Sequence, residues 1–145
     1  MLITRLCILS VIVVLSACAG TSSQTSQTSQ QVGTESNPQI VKSRDGSFEG
    51  EVIGAARPGS KFAQLQIGMN MDEVQAILNR GPDRLHTYPS GKGWIPFYFG
   101  NDARRMQVLF KDEGCLIFTD GNVWGGGGGE LIQIQHDPSG ACYQP

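Results

Sequence analysis

The chain of 145 residues has only two histidines, His86 and His136, and four cysteines without a Cys-x-x-Cys spacing. That removes the ligand sets of zinc ribbons and of thioredoxin-like redox sites, and no metal or other cofactor is expected. Charge of one sign is lacking as well. Eleven Lys and Arg stand against 13 Asp and Glu, a formal charge of −2, which creates no field that would favour nucleic acid. Aromatic side chains are absent before Phe48. The apolar run Leu6 to Leu15 is shorter than the roughly 20 residues of a membrane-spanning helix and suits the core of a signal peptide instead. A catalytic constellation is missing too: His136-Asp137 and the distant His86 supply no nucleophile, base and oxyanion donor together. Gly125 to Gly129 has no Lys-Ser/Thr after it and no helix start to receive a phosphate, so it reads as a loop, and the chain as a non-enzyme.

What is present begins with Leu15-Ser16-Ala17-Cys18, which closes the apolar run behind the single basic residue Arg5. The arrangement resembles the lipobox of bacterial lipoproteins. The resemblance implies a signal peptide over residues 1–17 and a thioether diacylglycerol on Cys18, with a third acyl chain on the new amino group. One chain holds only marginally at about 0.8 kcal/mol per buried methylene, so three would anchor permanently. Ala19 rather than Asp after the cysteine implies sorting to the outer membrane, with the domain in the periplasm.

Cleavage before Cys18 leaves 128 residues with 10 basic and 13 acidic side chains. From Ala19 to Ser47 the composition shifts: Thr25-Ser26-Gln27 and Thr28-Ser29-Gln30 repeat a triplet. Too little apolar area is available there to offset the entropy of ordering, so residues 18–47 are expected to be the lipidated cysteine and a disordered tether. With Cys7 lost and Cys18 acylated, Cys115 and Cys142 remain to pair in an oxidising compartment, with two free thiols as the alternative.

Residues 48–145 are enough for one small core. Phe48 to Ile53 is a possible edge strand. Ser60 can cap a short helix with Phe62 and Leu65 on one face, ended by Gly68. Asn70 and Glu73 have the spacing of a capping box, with Val74, Ile77 and Leu78 as an apolar stripe and Gly81-Pro82 as the stop. Trp94-Ile95-Pro96-Phe97-Tyr98-Phe99 predicts a strand at an edge, because Pro96 donates no ladder hydrogen bond. Met106, Val108 and Phe110 alternate with Gln107 and Lys111, and Asp112-Glu113-Gly114 turns the chain back as Cys115 to Phe118. Leu131 to Gln135 is a last strand with Ile132 and Ile134 on one side. The fold expected is α+β, with two N-terminal helices packed on a three- to four-stranded antiparallel sheet.

The spacing Phe62-x-x-Leu65-x-x-Gly68-Met69-Asn70-x-x-x-Val74-x-x-x-Leu78-x-x-Gly81-Pro82, followed by Trp94, Phe110 and Gly114, is similar to the SmpA/OmlA family of small outer-membrane lipoproteins. That family includes a subunit of the β-barrel assembly machinery and shares its fold with repeats of β-lactamase inhibitor proteins. The similarity covers about 60 residues and implies two helices before a three-stranded antiparallel sheet. This chain differs in one extra residue before Gly81-Pro82, a glycine-rich insertion after Phe118 and a further C-terminal strand. The function implied is a scaffold or accessory subunit in outer-membrane assembly or envelope integrity, contacting the membrane through its acyl chains and an envelope protein as partner. The alternative is a tethered module that inhibits a periplasmic hydrolase. Trp94, the family-matched position, is expected in the core. Phe97 and Tyr98 point to opposite sides of a strand, so one of them is a candidate for protein contact.

Overall fold

Six strands form one sheet in the computed structural model, which describes residues 37–124 and 127–145. The expected signal peptide, Cys18, the tether as far as residue 36 and Gly125-Gly126 lie outside the described residues. The strands are β1 (Gln39–Lys42), β2 (Glu49–Ile53), β3 (Arg84–Pro89), β4 (Arg104–Phe110), β5 (Gly114–Thr119) and β6 (Leu131–Gln135). Their order is β1-β2-β6-β5-β4-β3, antiparallel throughout except where β2 runs parallel to β6. The one α-helix among the described residues is α1 (Met71–Leu78), joined by 3-10 turns at Lys61–Gln64 and Lys92–Trp94. The expectation of two helices on a three- to four-stranded antiparallel sheet is thereby corrected to a six-stranded mixed sheet with one helix. No helix among the described residues is long and apolar enough to cross a membrane.

The first expected helix fails for a tertiary reason. Ser60 does cap the turn, accepting from the Phe62 amide, but Leu65 is already extended. The chain beyond it is drawn into ladder hydrogen bonds with the start of β6, Gly68 N–H to Leu131 O and Leu131 N–H to Met69 O, both 2.8 Å. Four residues are therefore all that remain for the helix. The second helix forms where the capping pair lies. Glu73 N–H donates to Asn70 Oδ1 and Asn70 N–H to Glu73 Oε2, both at 2.9 Å. It ends at Asn79, which takes the left-handed conformation (φ 56°) two residues before Gly81.

Alternation sorts the sheet into two faces. Met106, Val108, Phe110, Leu116, Phe118, Leu131 and Ile134 meet Phe62, Leu65, Ile67, Val74 and Leu78 in the core, where the rings of Phe62 and Phe110 meet edge to face at 5.9 Å. A register shift at Ile117/Phe118 pairs Phe118 with Leu131 and Ile117 with Gln133. Ile132 is thus the extra residue of a bulge, and Leu131 takes the core position that simple alternation gives to Ile132. Gly114 opens β5 against the end of β6, where a Cβ would collide with the Gln135 carbonyl.

Two strands have no counterpart in the sequence reading. β1 lies at residues 39–42, inside the stretch expected as tether, and makes β2 an interior strand rather than an edge. Asp45 shapes the β1–β2 turn by accepting from Ser43 Oγ, Ser47 N–H and Ser47 Oγ, bonds that lower its carboxyl pKa to about 2. β3 supplies the other edge at 84–89, the place expected for Trp94 to Phe99.

Opposite the core, the far end of the second sheet face is covered by the C-terminal tail. Cys115 and Cys142 form a disulfide with their Cα atoms 6.0 Å apart. The buried Gln107 donates to Cys142 O at 2.8 Å and accepts from Gln144 N–H at 3.2 Å. Asp137 holds the tail's turn through Ser139 N–H at 3.0 Å and Cys142 N–H at 2.7 Å.

Candidate functional site

The other end of the sheet is uncovered, and two loops emerge from it: residues 90–103 between β3 and β4, and 120–130 between β5 and β6. They are stitched together at their bases. Asp102 bridges to Gly121, Gly121 N–H donates to Asn101 O at 3.0 Å, and a Cβ on Gly93 would stand 3.3 Å from Val123. At the outer side of this pair Trp94 is 87 % exposed, Phe97 88 % and Trp124 82 %, with Ile95, Phe99 and Val123 also exposed. Trp94 therefore does not sit in the core, and Trp94 to Phe99 is not a strand. Pro96 is followed by Phe97 in the left-handed region (φ 60°), and Tyr98 N–H donates back to Ile95 O at 3.2 Å. This turn throws the Phe97 ring outward and returns Tyr98 to the loop base.

Tyr98 there donates from its hydroxyl to Asp102 Oδ1, and the Lys92 ammonium donates to Asp102 Oδ2. Arg105 stands 4.0 Å from the same carboxylate. Burial pushes the Asp102 carboxyl up, but the bonds from Lys92 and Tyr98 outweigh that effect and hold it below the usual carboxylate range. Its partners move the other way: bonding to Asp102 raises both Lys92 and Tyr98. Each group is thus held in its ordinary protonation state at neutral pH, which suits a structural clamp and not a proton-transfer pair.

Beside the clamp is a cleft of about 450 Å³, lined by Glu49, Glu51, Arg105, Thr119, Glu130 and Gln133 among others. Gln133 Nε2 donates to Glu51 Oε2 at 2.8 Å across the β2–β6 pair. Arg105 Nε is buried with no acceptor. The lining thus brings the carboxylates of Glu49, Glu51, Glu130 and Asp102 together with the cationic groups of Lys92 and Arg105.

The structure separates the other residues singled out in the sequence. His136 packs against Phe62 on the core side, with ring centroids 5.9 Å apart, whereas His86 lies against Tyr143 on the second face at 5.0 Å. Asp137, the partner considered for His136, is engaged with the tail. Among the described residues no group of His, Cys, Asp and Glu is placed to hold a metal ion. Of the proposed contact pair, Phe97 is at the surface and Tyr98 is turned into the clamp. Trp124, Lys92, Asp102 and Arg105 were not legible as site residues. One signal could have found the tip: residues 93–101 and 121–129 contain no charged side chain at all.

No family model, curated protein or solved structure matches this chain. The resemblance to SmpA/OmlA lipoproteins has the motif spacing behind it, and the fold it implied is not the one observed.

Proposed function

We propose that this chain is an outer-membrane-anchored periplasmic lipoprotein that acts by contact, as a non-enzymatic scaffold or accessory subunit in outer-membrane assembly or envelope integrity. The observation that carries this reading is the concentration of large exposed apolar side chains on two adjoining loops. Scattered surface apolar residues need no explanation, but several large ones gathered on two loops joined at their bases are costly in water and mark a surface used for contact. The lipobox supports placing that surface in the envelope, and the polar cleft beside it is the seat for an envelope protein. Inhibition of a periplasmic hydrolase by a tethered module is the second reading, favoured by the same cleft, which can receive a charged segment of an enzyme.

Affinity capture of the acylated chain tests the two. Recovery of outer-membrane assembly proteins supports the scaffold, and recovery of a soluble hydrolase supports the inhibitor. Glu51→Lys, which reverses one charge of the cleft lining, should abolish either capture while the variant stays folded. Cys18→Ser should abolish palmitate labelling and processing, because the thiol is the acceptor of the diacylglyceryl group. Labelling that persists in this variant removes the anchor from the proposal.

A further inference from the structure

We propose that the aromatic tip built from residues 93–99 and 121–124 inserts into the interfacial layer of the same phospholipid leaflet that holds the acyl chains, making a second, non-covalent membrane contact. The inference rests on the reading of Cys18 as acylated and names the occupant of the tip. Three observations favour lipid over protein. The two loops carry no charged residue over 93–101 and 121–129, although charged residues, Lys92, Asp102, Asp120 and Glu130, bound them closely on either side. A protein interface usually mixes Arg and a polar rim into its aromatic centre, whereas entry into a bilayer requires charge to be left behind.

The residue types also match. Trp94 and Trp124 belong to the class enriched at headgroup depth, and Phe97, Phe99 and Ile95 supply the deeper apolar surface. Part of the tip's backbone is paired within the loops as well. Trp94 N–H donates to Gly91 O, Ile95 N–H to Lys92 O, Tyr98 N–H to Ile95 O, and Trp124 N–H to Asn122 Oδ1. These donors keep their partners when water leaves, which lowers the cost of placing irregular backbone at a membrane surface.

Geometry permits both contacts at once. β1 is antiparallel to β2, which runs parallel to β6, so Gln39 enters the sheet at the end away from the tip. The chain between Cys18 and β1 must then reach back along a sheet roughly 25 Å long, judged from the seven residues of β4. Residues 19–38 span at most about 70 Å when extended, so that path is available. A weak insertion suffices, because the covalent anchor keeps the tip at high local concentration beside the bilayer. The acyl chains alone leave the domain's orientation free, and the tip fixes it with the cleft displayed to one side.

Trp94 and Trp124 are the only tryptophans in the chain, so tryptophan emission, excited selectively over tyrosine, reports on the tip alone. The acylated full chain is incorporated into vesicles of phosphatidylethanolamine and phosphatidylglycerol, with and without dibrominated phosphatidylcholine. The expected result is blue-shifted emission, loss of intensity on the brominated vesicles and protection from aqueous iodide. Phe97→Ser combined with Phe99→Ser should weaken the bromine quenching without displacing the protein from the vesicles. Protein that floats with the vesicles yet keeps water-like, iodide-quenched emission overturns the inference and leaves the anchor standing. Protein that stays in solution overturns both. A blue shift without bromine quenching, or one that needs an added envelope extract, assigns the tip to a protein surface and also overturns the inference.

Discussion

Phe97 and Tyr98 are neighbours whose side chains part because one residue adopts φ 60°. Left-handed backbone at a non-glycine residue costs about 1–3 kcal/mol and persists where surrounding bonds hold it. Here the Lys92–Asp102–Tyr98 clamp does so, and the outcome is an exposed phenyl ring beside a tied phenol. His136 adds a pH-dependent contribution to stability. Burial lowers its pKa below 6.5, against a smaller opposing pull from Glu113. The unfolded chain then takes up the proton first as the pH falls. Stability from neutral His136 is complete above about 6.5 and is lost progressively below it, through the lower folded value. Thermal melts between about pH 7.5 and 5 should show Tm falling over this window, and His136→Phe should flatten the fall. Asp45, with its pKa near 2, acts only at more acidic pH, so its contribution does not overlap. An unchanged pH profile in His136→Phe would show that the histidine is not the sensor.

At the scale of elements, the short α1 depends on its cap and on its two buried residues. Asn70→Ala removes one half of the capping box and should cost about 1 kcal/mol. Leu78→Ala, in the buried stripe with Val74, should cost about 2–5 kcal/mol. Chemical denaturation of both variants separates the local effect from the packing effect, and equal losses would contradict the assignment of Leu78 to the core. The β4–β5 turn makes a sharper demand. Gly114 (φ 149°) lies so close to the Gln135 carbonyl that Gly114→Ala must move β6, and a loss of roughly 1–3 kcal/mol is expected. A variant as stable as the parent would mean that the β5–β6 end relaxes freely. Arg44 joins the β1–β2 turn to this layer through paired 2.7 Å bonds to Glu73, the residue that also closes the capping box. A turn and a helix distant in sequence thereby share one carboxylate.

On the scale of the whole molecule, the sheet divides labour between its ends. One end is closed by the tail and the Cys115–Cys142 disulfide, and the other carries the cleft and the tip. Closing a loop with a sequence separation of 27 should contribute roughly 3–4 kcal/mol in the chain-entropy model. Reduction should therefore lower Tm by tens of degrees or unfold the domain, since one kcal/mol corresponds to about 4–8 °C at this size. Free-thiol titration of denatured, unreduced protein checks the bridge directly, and two reactive thiols would refute it. The tip lies at the opposite end of the sheet, so Trp94→Ala should leave stability within about 0.5 kcal/mol.

The capping box at Asn70, the alternation through Met106, Val108 and Phe110, the turn before Cys115 and the strand Leu131–Gln135 were all legible, because each rests on side chains a few residues apart along the chain. The sequence also carried, unread, the charge-free windows that make the tip. Strand order lay beyond it. β1 and β3 are short edge strands with exposed patterns, and only pairing with β2 and β4 makes them strands at all. The lost helix at Ser60 was decided by hydrogen bonds to Leu131, more than 60 residues away, and the outward turn of Trp94 and Phe97 by the clamp on Asp102. Local preference is worth a few tenths of a kcal/mol per residue, and a buried ladder bond left unmade costs more. Where the two compete, the tertiary structure decides.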